Sequence, residues 1–172
     1  MYNIPTSVKD NSKPKRKNNP IIFLFVVVPI SICLMVLGLN YIKIFNTHGH
    51  SMQPAIEDDS LVVCIKTKEI NPGDIIAFYS RGDIKIKRVI ALSGDTINID
   101  KDGKVLINDK ILVEHYLNEI EFGEYEIELP HTVKENRVFV LGDNRGNSLD
   151  SRHHNVGDIK IDDIICEVKL VL

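Results

Sequence analysis

Cysteine is scarce in this chain of 172 residues, with three copies, and no cysteine or histidine pair has a spacing suited to metal ligation. His48 and His50 share one face of an extended segment, and His153 and His154 are adjacent. No metal and no cofactor is therefore expected. Cys33 falls in a long apolar run, while Cys64 and Cys166 sit in the short apolar runs 61–65 and 161–168, where a free thiol behaves as a small hydrophobe. A disulfide between those two is permitted outside the cytoplasm but not required by their spacing. Internal repeats, low-complexity arrays and long helical patterns are also absent, and the length leaves room for one modest domain and no second enzyme. The net charge is −3. The part beyond the apolar run is acidic, which argues against nucleic acid as a partner.

Charge is missing altogether between Asn18 and Ile42. Within that run Ile21 to Leu39 is strongly apolar, and roughly nineteen helical residues at about 1.5 Å each approach the ~30 Å of a bilayer core. Pro29 disfavours a soluble helix but is tolerated in a membrane span. Lys9, Lys13, Lys15, Arg16 and Lys17 precede the run and only Lys43 follows closely, which places the N-terminus in the cytoplasm. Leu39-Asn40-Tyr41-Ile42 offers no small-x-small cleavage site. The expectation is a basic cytoplasmic tail over 1–19, an uncleaved transmembrane signal anchor over 20–43, and an extracytoplasmic domain over 44–172.

The remainder reads as β. Ile- and Val-rich runs at 60–66, 75–79, 84–91, 96–99, 105–107, 111–113, 138–141 and 164–172 are separated by turn punctuation such as Asn71-Pro72-Gly73-Asp74, Arg81-Gly82-Asp83 and Asn108-Asp109. Strands so spaced predict a mainly β fold of antiparallel sheets. In the run 84–90, Ile84, Ile86 and Ile90 share one face with Arg88, and Lys85 and Lys87 share the other with Val89. Periodicity alone makes Lys87 a solvated lysine.

From Gly142 to Arg152 the chain reads Gly-Asp-Asn-Arg-Gly-Asn-Ser-Leu-Asp-Ser-Arg, polar, charged or Gly everywhere but Leu149. Alone, this composition also suits an ordered surface loop. Two upstream groups give it weight: Ser51-Met52-Gln53-Pro54 just past the apolar run, and Lys87-Arg88-Val89-Ile90 followed by Ser93-Gly94-Asp95. A serine, a lysine and a polar scaffold loop in that order are the parts of a Ser-Lys hydrolase. From about Phe45 to Arg152 the chain resembles the type I signal peptidases, the membrane-bound serine endopeptidases that remove signal peptides, and its lead-in is similar to that of single-span Gram-positive members.

The resemblance implies an antiparallel β-sheet catalytic domain with a small inserted β subdomain, here about 100–136. It implies Ser51 as nucleophile and Lys87 as base, with secretory preproteins as substrates, cut after small-x-small sites. For that role the Lys87 pKa must fall by about 3 units from ~10.4, a cost on the order of 4 kcal/mol that requires its face to be covered. Ser148 is implied to hydrogen-bond and orient Lys87, Asp143 to pair with Arg88, and Asp150 with Arg152. Met52 and Ile86 are candidate walls of the substrate pocket, and membrane lipid is an expected partner. Gly49 stands where some relatives carry a serine that donates to the oxyanion, so the Ser51 amide is the one donor assigned. His50 is a poor candidate base, because adjacent side chains in an extended segment point apart. The alternatives are a catalytically inactive or narrowly specialised relative, and a self-cleaving repressor of the same Ser-Lys class, which would carry a DNA-binding domain instead of an anchor.

Overall fold

The computed structural model describes residue 21 and residues 23–172. The basic tail at 1–19, with its five cationic residues, lies outside the described residues. Phe23–Val27 forms a π-helical turn that passes into an α-helix over Val28–Tyr41. The change of helix type falls beside Pro29, which has no amide to donate. An 18-residue window within these 19 residues has a mean hydropathy of 2.5 and none of its residues is buried, so the helix is long and apolar enough to cross a membrane.

Eleven strands follow: β1 (Ile42–Asn46), β2 (Leu61–Ile65), β3 (Ile75–Ser80), β4 (Asp83–Leu92), β5 (Thr96–Ile99), β6 (Val105–Ile107), β7 (Lys110–Ile111), β8 (His131–Thr132), β9 (Arg137–Leu141), β10 (Ile159–Lys160) and β11 (Ile164–Val171). Every pairing is antiparallel, as the strand spacing predicts. One sheet has seven strands in the order β1-β2-β11-β3-β4-β9-β10, and a second has four in the order β7-β6-β5-β8. Two-residue turns close the tight hairpins. Arg81 (φ 53) and Gly82 (φ 90) join β3 to β4, and Asn108 (φ 50) and Asp109 (φ 64) join β6 to β7. Positive φ at both central positions matches the twist of the strands they connect.

Strand β1 was not expected, since its first residues were assigned to the membrane span. The helix ends at Tyr41, and Ile42 to Asn46 pair in register with Ile65 to Leu61 of β2. An uncharged run does not reveal where helix gives way to strand. The Tyr41 carbonyl accepts the Lys66 amide at 2.8 Å and so is held by the sheet. Strands β8 and β10 were also missed, at two residues each too short to show alternation.

Two clusters cover opposite faces of β4 and β9. Ile90, Phe139 and Leu141 pack with Ile97, Ile99 and Val105 of the second sheet. Val89, Val138 and Val140 pack with Ile76, Phe78 and Ile159. A strand covered on both faces shows no useful in/out alternation. Burial along β4 accordingly departs from the periodic expectation: Ile90 and Val89 are both buried, Lys87 is 5% exposed, and Ile84 is 42% exposed. Cys64 and Cys166 are free thiols in one buried cluster with Ala77.

Candidate active site

Ser51 opens a tight turn between β1 and β2. Met52 and Ile56 bury their side chains against Val62, which anchors the turn to the sheet, and the Ile56 amide closes onto the Met52 carbonyl at 2.9 Å. Gly49 enters the turn at φ 99, in the left-handed region that favours glycine. Its amide donates to Asp58 Oδ1 at 2.7 Å. The Asn144 amide donates to the Ser51 carbonyl at 3.1 Å, tying the turn to the polar loop. Among the described residues no backbone acceptor takes the amide of Ser51 itself, so that donor is free for an oxyanion.

Lys87 reaches this turn from β4. Its Nζ donates to Ser51 Oγ at 2.6 Å and to the Ile86 carbonyl at 3.0 Å. Burial pulls its pKa from 10.5 down to about 8, against the attraction of Asp150 and Asp143 and with help from nearby Lys85. An amine so placed, once neutral, can accept the proton of the serine hydroxyl.

Strand β9 and the loop after it supply the scaffold. Arg88 clamps Asp143 through two bonds, Nε to Oδ1 at 2.8 Å and Nη2 to Oδ2 at 2.5 Å, and donates to the Gly73 carbonyl at 2.9 Å. Its guanidinium lies 4.0 Å from the centre of the Tyr116 ring. Arg152 bonds both oxygens of Asp150 at 2.9 Å and also donates to the Phe122 and Arg145 carbonyls. Burial alone would raise the Asp150 pKa, but the bonds from Arg152 outweigh it and hold the carboxyl below its usual range. Asp150 Oδ2 also accepts the Gly142 amide at 3.0 Å. Both expected ion pairs are therefore present in the geometry.

Ser148 departs from expectation. Its buried Oγ makes no hydrogen bond to Lys87, which turns instead to Ser51 and to its own strand; the hydroxyl lies beside Asp150 and helps hold that carboxyl low. The hydroxyl packs against Gly142: a Cβ on that glycine would lie 2.1 Å from Ser148 Oγ and 2.5 Å from the Ser51 carbonyl oxygen. Gly142 thus lets the polar loop and the serine turn meet, a role its place in the motif did not disclose. The sequence also gave no sign of the buried ion pair between Arg145 and Glu114, whose partners are separated by 31 residues.

A cavity of about 290 Å³ opens beside Ser51 and Lys87. Met52 and Ile86 line it, joined by Phe45 and Asn46 of the unforeseen β1, by Thr47 after it, and by Ile84 and Lys85. At Arg88 β4 is paired on both sides, with β3 and with β9; beyond it the register runs with β9, and from Asp83 to Lys87 with β3 alone. The cavity lies along that open edge, which is suited to receive an extended peptide. His48, Asp58 and Asp59 cluster at the surface, but all three are exposed.

A serine in bonding contact with a buried lysine, beside a cleft with an open strand edge, is the arrangement of a serine endopeptidase. Comparison with known proteins makes the assignment specific. Residues 21–172 match the family described as signal peptidase, peptidase S26. The chain is 35% identical to signal peptidase I U of Bacillus subtilis, over 92% of this chain and 90% of that one. It is 31% identical to signal peptidase I P of Bacillus subtilis subsp. natto, over 82% and 83% of the two chains. The crystal structure of a signal peptidase I from Enterococcus faecalis superposes with a TM-score of 0.52 at 33% identity, covering 60% of this chain and all of that one. The chain belongs to the signal peptidase family.

Proposed function

We propose that this signal peptidase removes N-terminal signal peptides from exported preproteins by a Ser51-Lys87 dyad at the outer face of the membrane. Lys87 Nζ takes the Ser51 proton as Oγ attacks the scissile carbonyl, and the Ser51 amide donates to the oxyanion. The proton passes to the leaving amine, and the neutral lysine then activates the water that hydrolyses the acyl-enzyme. The substrate lies as a strand along Asp83 to Lys87, with small residues at the first and third positions before the cut against Met52 and Ile86. Arg88 with Asp143, and Arg152 with Asp150, fix the strand and loop that carry the machinery.

In this reading residues 1–19 are cytoplasmic, 20–43 contain the membrane anchor in contact with lipid, and 44–172 form the extracytoplasmic peptidase domain, with the inserted subdomain at about 100–136 contributing most of the second sheet. The 2.6 Å contact of a buried Lys87 with Ser51 carries the proposal.

The test is cleavage of a preprotein bearing a small-x-small site by membranes containing the protein, with the cut located by mass spectrometry. The parent is expected to cut after the small residue, and Ser51→Ala and Lys87→Ala to lose the activity. Intact preproteins across a broad panel, with folded and inserted parent, would favour an inactive or narrowly specialised relative.

A further inference from the structure

Lys85 is a cleft residue that takes no proton and makes no bond in the Ser51-Lys87 chemistry, though its charge acts on Lys87. It lies two positions before Lys87 on β4, on the same strand face, and lines the same cavity as Ser51. Its cross-strand neighbour on β3 is Phe78, which offers no charge. The described ion pairs engage Arg88, Arg145, Arg152, Lys169, His48 and His131, and none includes Lys85. No carboxylate lines the cavity. Of the carboxylates nearest in chain to the lining residues, Asp58 takes the Gly49 amide, Asp59 is bonded to His48 and Glu57 to Gln53, while Asp83, beside Ile84, forms no ion pair with Lys85. Among the described residues, Lys85 therefore lines the substrate cleft half-buried and without an ion-pair partner.

We propose that Lys85 is a specificity-determining residue that reads the charge of the substrate segment lying along β4. An acidic side chain at the position facing Lys85 gains a charge-assisted hydrogen bond in a partly desolvated cleft. A basic side chain there brings two cations together and is rejected. The open edge of β4 runs past Lys85 before it reaches Lys87, so one extended peptide meets both residues. This inference rests on the dyad reading above and deepens it by naming a substrate feature.

The test uses full-length protein in membranes and one preprotein, with Ala, Glu or Lys placed in turn at each position from the sixth to the second before the cut. Parent, Lys85→Gln and Lys85→Glu are compared through the ratio of kcat/KM for the Glu and Lys substrates, read within each variant and so independent of how much folded enzyme each provides. At one position the parent is expected to prefer Glu over Lys by about tenfold, as a partly shielded ion pair allows. Lys85→Gln should bring that ratio close to one, and Lys85→Glu should invert it. A parent ratio near one at every position, or a preference unchanged in both variants, overturns the proposal. A parent that cuts the Ala substrate yet shows no charge preference refutes the role of Lys85 alone. A parent that cuts nothing refutes the dyad reading and this inference with it.

Discussion

Lys87 Nζ meets Ser51 Oγ at 2.6 Å across 36 residues of sequence, and it does so from a site that leaves the lysine 5% exposed. Because burial brings its pKa to about 8, the neutral form is a minor species at pH 7 and the major one above pH 8. The kcat/KM for a signal-peptide substrate is expected to rise about tenfold per pH unit below 8 and to level off above it. Lys87→Arg should be inactive at every pH, since guanidinium does not give up its proton. A pH-rate profile of parent and variant measures both.

The same burial sets a stability trend. The folded pKa of Lys87 lies below its unfolded value of 10.5, so between about pH 8 and 10.5 the unfolded chain binds more protons and stability rises with pH. Below pH 8 the penalty is fully present, at about 3 kcal/mol for a shift of this size. Lys87→Met removes it and forfeits the hydrogen bonds to Ser51 and to the Ile86 carbonyl, each worth about 1 kcal/mol. At pH 7 the inactive variant is therefore expected to be more stable than the parent by about 1 kcal/mol in urea unfolding of the detergent-solubilised protein.

Arg152 and Asp150 are 1% and 0% exposed, so each depends on the other. Arg152→Met leaves a buried carboxylate without its cation and is expected to cost about 3–5 kcal/mol. Asp143→Asn should cost less, because its partner Arg88 keeps the Gly73 carbonyl and the Tyr116 ring. Denaturant unfolding of the two variants side by side tests the order.

Gly142→Ala places a methyl group 2.1 Å from Ser148 Oγ and 2.5 Å from the Ser51 carbonyl oxygen. The serine turn and the polar loop must then part, and displacing a reacting group by about 1 Å costs on the order of 100-fold in rate. The expected readout is a fall in kcat of that size while the protein stays folded, judged by circular dichroism and turnover together.

Ser148→Ala deletes a buried hydroxyl that Lys87 does not use and that lies beside Asp150, helping to hold its carboxyl low. Its loss is expected to shift the unfolding midpoint little, since relief of a poorly satisfied hydroxyl offsets the lost support of a carboxylate that Arg152 already bonds twice. A drop in midpoint would show that the hydroxyl is bonded in solution.

Much of the fold could be read locally. Gly82 and Asn108-Asp109 mark their hairpins because Gly, Asn and Asp accept the positive φ these turns need, and the strands between them carry the Ile and Val expected of sheets. The boundary at Tyr41 could not be read, since the apolar residues of helix and of β1 are chemically alike. Nor could the pairing of Arg145 with Glu114, because neither residue carries a mark of its distant partner.

The sequence by itself determined the membrane-length helix, the antiparallel strands and the three motifs bearing Ser51, Lys87 and the Gly142 to Arg152 loop, since composition and spacing act between near neighbours. Tertiary structure decided what those residues are. Lys87 follows a strand pattern that reads as solvent-facing, and only the fold that sets β4 against the Ser51 turn buries it, lowers its pKa and brings it to Ser51. Desolvation is set by everything packed around a group, and no short stretch of chain contains that.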